Sequence, residues 1–159
     1  MSNSISMNTD DLNKLDVKLA NLDAKNANDA LFNSLRKGAN VLSKATKQSL
    51  IFKMGNSATR PVRKPKNRGN GTYKPLVDNI HVNGERPLCE VKVTILNNGG
   101  YLHWFESGTD IRKTSNEYNR GAIEAINFFK DARQSSFSQM ESAIINGLDK
   151  EINKRLNRQ

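Results

Sequence analysis

Residues 89–95 read Cys89-Glu90-Val91-Lys92-Val93-Thr94-Ile95, with apolar side chains at the odd positions and Glu, Lys and Thr at the even ones. Only an extended chain puts every second residue on one side, so the stretch predicts a β-strand with one buried and one wet face. Cys89 falls on the apolar face and reads as a small core residue rather than a reactive thiol. Pro87 has no N–H to give to a ladder and marks the strand's start or an edge. Upstream, a second extended stretch over 76–82 ends in Ile80-His81-Val82. Asn83-Gly84 follows, and because both residue types accept positive φ it predicts a tight hairpin turn there. Downstream, Asn97-Asn98-Gly99-Gly100 turns the chain.

Helical spacing takes over on both sides. Leu12, Leu15, Leu19 and Leu22 recur every three or four residues, with Thr9 or Asp10 placed to cap a short helix. Leu31, Leu35, Ala39, Leu42, Thr46 and Ser49 form the stripe of a longer helix, with Asn28 or Asp29 as cap and Gly55 as a stop. Near the end of the chain, Phe137, Met140, Ile144, Leu148, Ile152 and Leu156 mark a third helix. Ser138 and Glu141 match a capping box, although the helix can start as early as Asn127. Val91, Val93 and Ile95 are expected to face Leu35, Leu42, Ile144 and Leu148. The fold class is therefore α+β: a small antiparallel sheet packed against a long N-terminal helix and a C-terminal helix, in one domain over 1–159.

Residues 55–75 break every pattern. Two Pro, three Gly and five basic residues between Gly55 and Gly71 predict a long mobile basic loop. Charge is concentrated around it. Residues 1–35 carry three Lys against five Asp, residues 36–77 carry eleven Lys or Arg and no acid, and residues 78–159 carry eleven of each sign. The whole net charge of +9 thus resides in the middle segment. Such a block attracts phosphate or an acidic partner; a solvated loop serving only solubility is the plain alternative.

Other chemistry is sparse. One Cys and two His cannot make a four-ligand zinc site or an internal disulfide. There is no Gly-x-Ser-x-Gly elbow, no phosphate-binding Gly-x-x-x-x-Gly-Lys loop and no His-Glu-x-x-His helix. His81 and His103 read as packed or surface residues. Glu106 and Asp110, four residues apart, would be the pair for a magnesium-dependent nuclease, a pattern common by chance. No cofactor and no catalytic role are expected. The polar, acidic start (Met1 to Asp11) does not read as a signal peptide, and no apolar run has the length of a membrane span. A protein made in a cytoplasm, or assembled there into a particle, is expected.

Residues 101–109 read Tyr-Leu-His-Trp-Phe-Glu-Ser-Gly-Thr, and 120–132 read Arg-Gly-Ala-Ile-Glu-Ala-Ile-Asn-Phe-Phe-Lys-Asp-Ala. This resembles the tail-completion or head–tail joining family of tailed bacteriophages. The shared pattern is a Tyr, an aromatic and Glu-x-Gly-Thr, carried here by Tyr101, Trp104, Glu106, Gly108 and Thr109. An aromatic pair and an Ala follow about twenty residues later, carried by Phe128, Phe129 and Ala132. The order of helices matches along nearly the whole chain. Two features depart from it: Asn127 stands where many members have Pro, and the basic loop replaces an Ala-Pro, Thr-Gly, Leu block.

The resemblance implies a non-catalytic virion subunit at the neck, in a ring of copies of itself around the DNA channel. Its neighbours would be connector and tail proteins, with non-specific contact to packaged DNA and none to membrane. In residue terms, Gly108 suits a backbone conformation that other residues avoid, Thr109 can bond nearby backbone, and Glu106 can pair with a cation or cap an N–H. Trp104 and Phe105, read as extended, face opposite sides, one to the core and one to a neighbour. The basic residues Arg60, Arg63, Lys64, Lys66, Arg68 and Lys74 either dock on an adjacent ring or face DNA. Docking is the preferred reading, because cationic grip would slow DNA sliding through a channel. A stand-alone basic nucleic-acid-binding protein is the rival reading.

Overall fold

A computed structural model describes residues 9–20, 22–63, 72–95, 101–113, 117–119 and 121–157. Helix α1 spans Thr9–Ala20, α2 Ala24–Met54 and the short α3 Asn56–Thr59. Strands β1 (Val62–Arg63) and β2 (Thr72–Tyr73) pair antiparallel, and a 3-10 turn at Leu76–Asn79 leads into β3 (Ile80–Glu85) and β4 (Glu90–Ile95). Helix α4 (Tyr101–Ser107) and the long α5 (Phe128–Leu156) complete the order. The α+β class is as the sequence predicts: a small antiparallel sheet lies against a long N-terminal helix that pairs with the C-terminal helix.

Helices α2 and α5 run antiparallel, and small residues let them come close. A Cβ at Gly38 would stand 2.5 Å from Ile144 Cγ1, and one at Gly147 would stand 2.9 Å from Lys37 Cδ. Ser34, Thr46 and Ser136 are buried in the same helices, and their hydroxyls donate to the carbonyls of Leu31, Leu42 and Ala132 within their own helix. At one end of the pair Leu15 of α1 and Leu22 of the α1–α2 link join Ala30, Leu148 and Ile152. At the other end Leu50, Ala58, Ile80, Leu102 and Phe128 form a second cluster, with Val93, Ile95, Phe105 and Phe129 packed against it.

Several boundaries differ from expectation for physical reasons. Helix α2 starts a turn earlier than its leucine stripe, because Asp23 caps it by accepting the Asn26 N–H at 2.8 Å. That bond also holds the Asp23 carboxyl below the usual range. Gly55 closes the helix as expected, at φ +57°, with its N–H on Ile51 O. Asn83-Gly84 is not a turn; it lies inside β3. Gly84 is needed there because a Cβ would meet the Phe32 ring of α2 at 2.8–2.9 Å. The turn comes at Arg86–Cys89, with Pro87 at its second position.

Cys89 is therefore a half-buried turn residue at φ +48°, not a core residue of the strand. Asn28 and Asp29, expected as caps, hold this turn instead: the Asn28 carbonyl faces Cys89 Sγ at 3.8 Å, and Asp29 pairs with Arg86 at 2.6 Å. Val91, Val93 and Ile95 are half-buried, and Val93 and Ile95 pack on the cluster that holds Leu50 and Phe128, whereas Leu148 belongs to the cluster at the other end. Helix α5 begins at Phe128, so Ser138 and Glu141 are interior residues and no capping box. Within 55–75, Asn56–Thr59 is a helical turn with Ala58 buried, and β1 pairs with β2. Residues 64–71 lie outside the described residues.

Candidate functional site

The motif residues converge where α4 ends and α5 begins. The last carbonyls of a helix have no partner within it. In α4, Phe105 O accepts the Ile126 N–H at 2.8 Å and Glu106 O accepts the Asn127 N–H at 3.3 Å. The Glu106 side chain completes the link from the other direction. Its Oε2 accepts the Phe129 N–H at 2.8 Å, and its Oε1 accepts the Lys130 N–H at 3.0 Å. A carboxylate at a helix N-terminus satisfies orphan donors and complements the helix dipole. Glu106 is thus the cap of α5, supplied by a residue more than twenty positions upstream. Asn127, in the N-cap position, makes no side-chain cap bond.

Gly108 and Thr109 close the base of the intervening segment. Gly108 has φ +73°, and a Cβ there would stand 2.9 Å from Ile123 O and 3.0 Å from Ala125 N. Thr109 N–H donates to Ile123 O at 2.9 Å, and Ile123 N–H donates to Thr109 Oγ1 at 3.0 Å. Arg112 N–H reaches Gly121 O at 3.1 Å, and Lys113 bridges to Asn119 in the same antiparallel sense. The described residues 109–113, 117–119 and 121–123 therefore form an arm pinched shut at its root. Ile111 (63% exposed) and Tyr118 (71% exposed) stand on the arm, and Arg112 approaches the Trp104 ring at 6.0 Å from its centroid.

The aromatic residues divide between core and surface. Phe128 is fully buried, and Phe105 and Phe129 pack on the same cluster. Because Trp104 and Phe105 lie on a helix, the extended-chain expectation of opposite faces does not apply; both are half-buried. Tyr101 opens α4, and its side chain lies outside the described residues. Lys53, from the end of α2, donates to Ile126 O and pairs with Asp131, tying α2 to the start of α5 across an open cleft of about 500 Å³.

Asn127 adopts φ +49°, which a proline ring cannot, so the entry to α5 differs from one built on Pro. Arg60 and Lys74 are exposed. Arg63 lies in β1 with its side chain outside the described residues, as are Lys64, Lys66 and Arg68 altogether. His81 and His103 are exposed. The sequence does not foretell the Lys53 clamp, nor the role of Arg86 against α2; a single lysine or arginine at a helix or strand end carries no pattern.

Both Glu106 oxygens are engaged by backbone N–H groups, while Asp110 is exposed on the arm. Among the described residues no group of three or more His, Cys, Asp or Glu could hold a metal ion. Among the same residues no helix is long and apolar enough to cross a membrane. No family model, curated protein or solved structure matches the chain.

Proposed function

We propose that this chain is a structural subunit of a tailed-bacteriophage particle, acting at the head–tail interface in a ring of its own copies around the DNA channel. The motif that carries the resemblance has one mechanical effect: Glu106, Gly108 and Thr109 pinch the base of the arm and fasten it to the start of α5. That observation supports the assignment best. A subunit that must fit a neighbour gains from a segment whose root is fastened and that exposes Ile111 and Tyr118. A fastened root lowers the ordering cost on docking. The partners are further copies of the chain and the adjacent connector and tail proteins, and the place of action is the virion neck.

A stand-alone nucleic-acid-binding protein is the second reading, favoured by the eleven cations and no acids of residues 36–77. Genetics separates the two. Removing the gene should leave filled heads and separate tails. Joined, infectious particles in the mutant lysate would sink the neck assignment. For the basic loop, replacing Arg63, Lys64, Lys66 and Arg68 together with Ser should block joining while circular dichroism stays unchanged. Normal joining with abnormal retention or release of DNA would show that the loop acts on DNA rather than on a neighbouring ring.

A further inference from the structure

We infer that the solvent face of α2 is a binding surface for the phosphate backbone of nucleic acid. Positions 36, 40, 44, 47 and 51 follow four-, four-, three- and four-residue spacing, which keeps them on one side of a helix. They span fifteen residues, or about 22 Å at ~1.5 Å per residue. Arg36, Asn40 and Lys44 on this row are exposed, Lys47 is half-buried and Ile51 is 40% exposed. The opposite face of α2 is covered by α5 and the sheet.

The row is set apart by what it lacks. Residues 36–54 contain no Asp or Glu, whereas α5 interleaves its cations with Asp131, Glu141, Asp149 and Glu151. Lys37 and Lys53, off this row on α2, each meet a carboxylate, while Arg133, Lys150 and Lys154 on α5 have no ion pair among the described residues but sit on an element that carries acids. Among the described residues Arg36, Lys44 and Lys47 meet none. Like charges at helical spacing repel by a few tenths of a kcal/mol, a cost that an external polyanion removes. A membrane surface fits less well: it needs a continuous apolar face, and the one on α2 is buried. Three dispersed cations give a weak, salt-sensitive hold.

The inference stands apart from the particle assignment, since it is tested on the purified full chain. A fluorescein-labelled 30-base-pair duplex is titrated by anisotropy between 25 and 150 mM NaCl. Binding is expected without sequence preference and with log K falling linearly in log salt. Replacing Arg36, Lys44 and Lys47 by Gln, which keeps helix propensity, should reduce the slope by roughly 2–3 and weaken binding about tenfold or more at low salt. Replacing Arg133, Lys150 and Lys154 on α5 by Gln removes the same charge and should leave affinity within about twofold. The inference is overturned by no binding at 25 mM salt, by equal loss in both triples, or by an α2 triple that keeps its DNA affinity. An α2 triple that binds DNA normally yet fails to enter particles would show that the face meets protein.

Discussion

The two ends of the α2–α5 pair are built on different plans. At the end closed by α1, three helices and the α1–α2 link contribute Leu15, Leu22, Ala30, Leu148 and Ile152. Charges there are internal: Glu151 accepts from Arg155 at 2.6 Å and from Asn33 at 3.2 Å, and it lies 3.6 Å from Lys37. At the other end the cluster of Leu50, Ala58, Ile80, Leu102 and Phe128 draws on α2, α3, β3, α4 and α5. There the arm emerges and backbone groups are held by side chains from afar. The first end closes on itself and serves as scaffold. The second assembles distant segments around one aromatic residue, so its geometry depends on each of them, and it carries the motif residues Glu106, Gly108 and Thr109.

Removing the largest side chain at each end tests that difference. Phe128→Ala should cost about 3–5 kcal/mol and Ile152→Ala about 2–4, read from denaturant midpoints at constant m. The patterns of loss should diverge. In hydrogen exchange, Phe128→Ala should expose the amides of Thr109 and Ile123 as well as lowering global stability. Ile152→Ala should leave those amides protected relative to the global value and free α1 first. Equal protection at the arm root in both variants would mean that the arm does not depend on the aromatic cluster.

Acid should act mainly on the scaffold end. The Arg155 guanidinium holds the Glu151 carboxyl down at about 2, and its side chain keeps only 15% exposure. A depressed pKa gives stability that is present above the unfolded value, near 4.5, and is lost as pH falls through the folded one. Between pH 4.5 and 2 the protein should therefore lose on the order of 2 kcal/mol from this group, allowing for screening at the rim of the cluster. Glu151→Gln should flatten that part of the stability curve. An unchanged acid limb would place the acid-sensitive groups elsewhere.

Glu106→Ala removes the acceptor for two amides and should cost about 1–2 kcal/mol. The loss should be local, with faster exchange at Phe129 and Lys130 and the α1 end unaffected. Glu106→Gln keeps one good acceptor oxygen and should recover part of it. If alanine costs nothing, water replaces the carboxylate and the arm's root is held by Gly108 and Thr109 alone.

How much of this was legible in the sequence follows from the kind of side chain involved. The α+β class, the alternation of Val93 and Ile95, the stop at Gly55 and the special backbone of Gly108 were all readable, because each rests on a periodicity or on one residue's conformational freedom. The α2–α5 contact was not. Its centre is Gly38, Ser34, Thr46, Ser136 and Gly147, small residues that no hydrophobic stripe reveals, so the leucines at 31, 35 and 42 looked central and are half-buried. Glu106 could be suspected of capping, but its client helix starts more than twenty residues later, a distance over which local pattern is silent. Asn83-Gly84 misled for a related reason: glycine is used there for proximity to Phe32, not for positive φ.

The smallest effect is the most discriminating for the sheet. Read from alternation alone, Cys89 belongs to the buried face of β4, and its replacement by Gly would lose packing and weaken a strand. In the structure Cys89 ends the Arg86–Cys89 turn at φ +48°, with its N–H on Arg86 O at 3.0 Å. A side chain in that left-handed region costs about 1–2 kcal/mol, which glycine escapes. Against this, glycine surrenders about 0.5–1 kcal/mol through the greater freedom of its unfolded chain. The long contact from Sγ to Asn28 O adds little, since thiols are weak donors. Cys89→Gly is therefore expected to be neutral or to stabilise by less than about 1 kcal/mol in chemical denaturation, a sign opposite to that for a strand core residue. Destabilisation by 2 kcal/mol or more would return Cys89 to the core and move the turn back toward Asn83-Gly84.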